Sequence, residues 1–232
     1  MADDSPGSDL PLAIAMGSSA VVAAIATGDS PGTTLAAGAA PLVVQAAAIR
    51  ARWAAKSTRS IEVAADHMGV GVDIVVERSL AYEDRLELLA RVIEASARST
   101  IPEKVDALGR GLADGLQEDG DTAEALMLAR ALEVLDGPHV VVLDHLARHP
   151  EAPPKLVDSS NRGMVGWQVP MLREVLPDLA GVLDPVVGAL SGAGLIMDNT
   201  GVNWASTPGP EPWVITSTGT RCLFLLDPDR EN

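Results

Sequence analysis

Between residues 82 and 135 the apolar side chains return at intervals of three and four with charged residues between them, a spacing that admits little except packed amphipathic helices. Leu86, Leu89, Val92 and Ile93 predict one helix over residues 82–97. Thr100, Ile101, Pro102 and Glu103 then read as a capping box with proline in the first turn, opening a helix that buries Val105, Leu108, Leu112 and Leu116. Asp121, three residues before Glu124, predicts a second N-cap, for a helix carrying Leu126, Leu128, Leu132 and Leu135. Residues 57–80 extend the helical pattern backwards, with interruptions at Gly69 and Gly71.

The supply of side chains supports the same class. Hydrophobic residues make up 47% of the 232 but aromatics only 3%, so the core must be filled by Leu, Val, Ile and Ala, which suits close helix packing better than a sandwich of sheets. The expected fold is mostly α. Charge is unevenly spread: residues 60–138 hold 17 acids against seven bases, and residues 139–232 hold 11 against six, within a total of −15. No domain-sized segment is basic, so generic binding to phosphate backbones is disfavoured. The lone Cys222 leaves no intramolecular disulfide and no cysteine cluster for zinc, which fits a reducing cytoplasm. Asp3, Asp4 and Asp9 stand where a secretory signal would need positive charge.

Residues 10–27 run without a charge, and residues 35–49 do so again after the turn-like Gly28-Asp29-Ser30-Pro31-Gly32. They predict an Ala/Gly-rich helical hairpin. Arg50, Arg52, Lys56 and Arg59 follow it and would hold the rest of a membrane-inserted chain on the cytoplasmic side. The small residues Ala13, Gly17, Ala20, Ala24 and Gly28 permit tight helix contacts in lipid or in a soluble core alike, so residues 10–49 leave both placements open.

Gly137 and Pro138 break the chain before a helix containing Val141, Val142, Leu143 and Leu146. A second helix is expected over residues 165–175, disturbed by Pro170, and a third over residues 183–191. Two short strands should follow, over residues 202–205 and 213–216, with Thr207-Pro208-Gly209-Pro210 at the tip between them. Leu190 would face the core, Gly194 would take a left-handed turn at the helix end, Leu195 and Ile196 would enter the wing, and Thr216 with Gly219 would cap the closing segment. On these residues the chain from about 138 to 226 resembles the winged-helix regulators of the MarR and PadR type. The stretch from 57 onward is also similar to uncharacterised bacterial proteins in which a helical unit precedes a winged helix, a likeness that implies no activity. The organisation expected is a disordered acidic tail over residues 1–9, an apolar hairpin over 10–56, an acidic helical domain over 57–137, a winged-helix-like domain over 138–227 and a short tail over 228–232.

Relatives that bind DNA place the third helix in the major groove and the wing on the backbone. Here residues 181–191 offer Asp184 and Ser191 with two glycines, and the wing offers Glu211 and no base. The expectation is therefore protein contact or self-association, through a surface including Asp184, Trp204 and Trp213, although packing is the commoner use of a tryptophan. A DNA-binding regulator is the alternative, using Arg173, Ser191 and Arg221. A membrane effector acting through residues 10–49 is the second.

No catalytic constellation is legible. His145 and His149 share a helix face at a metal-pair spacing without a third ligand, Asp144 pointing away and His139 preceding the helix; His149 reads as a favourable group at a helix C-terminus. His67 beside Asp66 is an isolated pair. Gly109, Gly111 and Gly115 fall inside a helix, not between strand and helix, so they make no phosphate loop. Glu118, Asp119 and Asp121 lack the alternation of a calcium loop, and Cys222 in its apolar run reads as an inert buried thiol. The expectation is a protein without enzymatic activity, cofactor or metal.

Overall fold

Contacts divide the chain into Met1–Arg52 and Trp53–Asn232. The computed structural model describes residues 36–152, 166–199 and 212–229. Of the first unit this includes only the opening of α1 (Ala36–Met68), so the first arm and the turn of the expected hairpin lie outside the described residues. The second arm does not end at Ile49: it is the start of a 33-residue helix that runs on through the basic stretch. Nothing there breaks a helix until Gly69, whose φ of 66° lies in the left-handed region. Among the described residues no helix is long and apolar enough to cross a membrane.

In the second unit the rest of α1 is followed by α2 (Val72–Leu80), α3 (Glu83–Arg98), α4 (Pro102–Leu116), α5 (Thr122–Val134), α6 (Gly137–Arg148), α7 (Val169–Val175), α8 (Leu183–Gly192), β1 (Ile196–Asp198), β2 (Trp213–Ile215) and α9 (Ser217–Leu226). The described chain is mostly helical, with one small antiparallel sheet. In α3 Leu88 is buried beside Leu89 and Val92, whereas Leu86, expected on that face, is 45% exposed. Leu88, Leu108, Leu112, Leu116 and Leu132 are fully buried where α3, α4 and α5 meet. Each such side chain contributes about 1.5–3 kcal/mol. The glycines inside α4 serve packing: a Cβ on Gly109 would stand 2.8 Å from Val63 Cβ, and one on Gly115 would stand 2.7 Å from Ala125 Cβ. Their absence lets α1 and α5 approach α4 closely. Arg59 Nε adds an ion pair at 2.9 Å to Asp106, joining α1 to α4.

Local signals are realised unevenly. Asp121 Oδ1 accepts from Glu124 N at 3.0 Å, so the acid run between α4 and α5 supplies a cap. Thr100 does not cap α4. Ile101 holds the N-cap position with no side-chain cap, and the neighbouring Ser99 hydroxyl closes the turn instead, accepting from Ile101 N at 3.2 Å. Gly137 and Pro138 start α6, because a proline in the first turn gives up an N–H that has no helical partner. His139 thus belongs to the helix, where its Nδ1 accepts from Asp136 N at 3.2 Å. Pro170 likewise lies in the first turn of α7, which begins at Val169 and not at residue 165.

β1 and β2 pair with Ile196 opposite Ile215 and Asp198 opposite Trp213. The strand expected over residues 202–205, with the tip at 207–210, lies outside the described residues, and the observed first strand begins earlier. The reason is Gly194. Its φ of 71° ends α8 so sharply that Leu195 and Ile196 enter the core at once. Thr216 Oγ1 accepts from Gly219 N at 3.0 Å and caps α9, which packs on α4, α5 and α6. The described residues of 57–137 and 138–227 therefore share one core.

Candidate functional site

α8 divides by burial. Leu183, Val186, Val187 and Leu190 face inward, at the spacing of one helix face. Asp184, Pro185, Gly188 and Gly192 face solvent, with Ser191 half-buried. This outward face carries no long donor. Its one charge is engaged, since Arg173 on α7 donates to the Asp184 carboxylate. Asp184 and Arg173 were separate candidates, for protein contact and DNA contact respectively, and the structure brings them together.

Arg221, the other candidate cation, lies on α9 and donates to Asp114 on α4 at 2.8 Å. Arg173 and Arg221 are thus held by different carboxylates, on α8 and α4. His67 does not pair with Asp66: its Nε2 lies 3.5 Å from Asp114 Oδ1, so one carboxylate receives groups from α1 and α9. Trp204 lies outside the described residues. Trp213 is half-buried against the core in β2, and its backbone exchanges two 2.9 Å hydrogen bonds with Trp167.

Trp167 was not singled out from sequence, yet it organises this region. It is 2% exposed, its Nε1 donates to the His149 carbonyl at 2.6 Å, and its ring meets His145 edge-on at 4.5 Å. The signal available was a tryptophan in an aromatic-poor chain. His145 and His149 do share a face, with ring centroids 4.8 Å apart. Among the described residues no three His, Cys, Asp or Glu side chains are grouped to hold a metal ion. His145 Nε2 is buried without a hydrogen-bond partner among the described residues. Burial, with His149 beside it, holds the imidazole below the ordinary histidine range, against the opposing pull of Asp144. His149 occupies the C-cap of α6, its N–H donating to the His145 carbonyl at 3.0 Å. Cys222 is buried, which pushes its thiol up to about 12 and leaves it protonated at neutral pH.

Neither protein families, curated proteins nor solved structures yield a match to the chain.

Proposed function

We propose that the chain is a non-enzymatic interaction protein whose residues 138–227 form a winged-helix-like module used for contact with protein, either a partner or a second copy. The element order helix, helix, helix, strand, strand supports the module, and so does the bridge from Trp167, between the first two helices, to Trp213. The observation that carries the use is the outward face of α8: Asp184, Pro185, Gly188, Ser191 and Gly192. Reading a major groove needs side chains long enough to reach base edges and cations to neutralise phosphates. Here the reach is short and the nearest cation is held by Asp184. A small, nearly uncharged helix face suits close approach by another protein surface, because little side-chain entropy is lost on docking.

Two measurements test the reading. Fluorescence anisotropy against mixed-sequence duplex DNA at low salt should show no micromolar binding, whereas micromolar binding that weakens steeply with salt would establish the DNA-regulator alternative. A Cβ at Gly188 meets nothing within 4 Å, so Gly188→Glu should fold and block docking. Light scattering of the full chain, and proximity crosslinking in cells, should both lose their α8-directed contacts in that variant. Unchanged contacts would remove α8 from the interface.

A further inference from the structure

Lys104 stands in the first turn of α4, where a lysine ordinarily reaches into solvent, yet it is only 5% exposed. Its Nζ donates to the Glu133 carbonyl at 2.7 Å and to the Leu135 carbonyl at 2.9 Å, which ties it to the C-terminal end of α5. An ammonium has three protons to donate. The described residues supply two acceptors, both neutral, and no carboxylate forms an ion pair with it. Asp136 and Glu133 favour its charge only from a distance, and burial outweighs them, lowering its pKa. Buried charges are ordinarily paired in direct contact.

The side chain lies against a cleft of about 500 Å³ between the α3–α4 and α5–α6 turns. Arg98, Thr100, Ile101, Lys104, Glu133 and Asp136 line it, so two cations and two anions share one small space with an apolar patch. Arg98 bridges to Glu94 at 2.7 Å and reaches Glu133 at 3.8 Å, which leaves its guanidinium at the rim, and Glu133 also receives Arg91 at 3.4 Å through its other oxygen. A ligand that is only anionic meets Glu133 and Asp136; one that is only cationic meets Lys104 and Arg98. A molecule carrying both charges satisfies both sets.

We propose that this cleft binds a small zwitterion of the amino-acid type, its carboxylate accepting the third Lys104 proton and its ammonium turned toward Asp136 and Glu133. The volume suits such a ligand, since small-molecule sites fall in the range of about 300–1,000 Å³. The site belongs to the helical part of the chain and does not depend on the role of α8.

The test is a nuclear magnetic resonance titration of the full-length, isotopically labelled protein with each free L-amino acid at millimolar concentration. The matching amino-acid amides, which are cations, and the N-acetyl amino acids, which are anions, serve as the other two arms. One or a few free amino acids should shift the resonances of residues 99–104 and 136–137, with the amide and N-acetyl forms at least about tenfold weaker. Lys104→Met should weaken binding about tenfold or more. Because Lys104 also holds the end of α5, Arg98→Ala at the exposed rim is the second variant, expected to fold normally and to bind several-fold more weakly. If no free amino acid moves these resonances, the cleft holds only water and the proposal is wrong. Equal binding of the N-acetyl form makes it a simple anion site and also overturns the proposal.

Discussion

Arg221 on α9 donates to Asp114 on α4 at 2.8 Å, joining residues 107 positions apart. With His67 on the other side of the carboxylate, Asp114 links the opening, middle and closing helices of the unit. The side chains retain 47% and 27% of their exposure, so water screens the pair. Arg221→Ala should therefore cost less than about 1 kcal/mol in urea unfolding. A loss several times larger would mean that the pair is desolvated.

Gly219 lies under the turn that joins the sheet to α9. A Cβ there would collide with the Leu195 carbonyl oxygen and stand 2.8 Å from Ile215 Cγ1. Gly219→Ala should lose about 1–3 kcal/mol, despite the better helix propensity of alanine. Thr216→Ala, which removes only the cap, should lose about 1 kcal/mol. Thermal unfolding of the two variants would rank them, and a stabilised alanine variant would show that this turn is looser than described.

Leu190 is fully buried on the inward face of α8, and Phe224 is 45% exposed on α9. Leu190→Ala should destabilise by about 2–5 kcal/mol, while Phe224→Ser should change stability by no more than about 0.5 kcal/mol. The contrast, read by chemical denaturation, checks the inward face of α8. A loss at Leu190 no larger than that at Phe224 would mean that Leu190 does not face the core.

The surroundings of His145 make stability depend on pH. The folded imidazole titrates below its ordinary value of 6.5. Above that value both states are neutral and the contribution is intact; as pH falls the unfolded chain takes up its proton first, so stability is lost down through the folded pKa and then levels off. The urea midpoint should fall on acidification from neutrality to about pH 5, and His145→Phe should reduce that fall. Parallel slopes for the two proteins would assign the acid sensitivity to other groups.

The helical character was legible because it is local. Leu89, Val92, Leu108, Leu112 and Leu132 are buried where a three-and-four rhythm places them, although Leu86 in the same series is exposed, and Asp121 caps α5 because an N-cap depends on residues three apart. Gly194 and Thr216 were legible for the same reason: each marks a turn made within a few residues. Thr100 misled because Ser99, one residue earlier, closes the turn and leaves Ile101 at the cap position. Pro170 misled because a proline tolerated in a first turn looks in sequence like one that disturbs a helix, and at Pro138 the expected break holds but the helix starts early enough to include His139.

The candidate sites were far less legible. Arg173 and Asp184 look like two free charges until α7 and α8 fold against each other. Trp167 gains its role from a strand partner 46 positions later, and Lys104 from carbonyls about 30 positions later. Periodicity and capping act through neighbours one or two helical turns away, so the order of residues was enough to specify the helices. Ion pairing, a buried ammonium and strand pairing depend on which distant groups arrive, and those meetings exist only once the chain has packed.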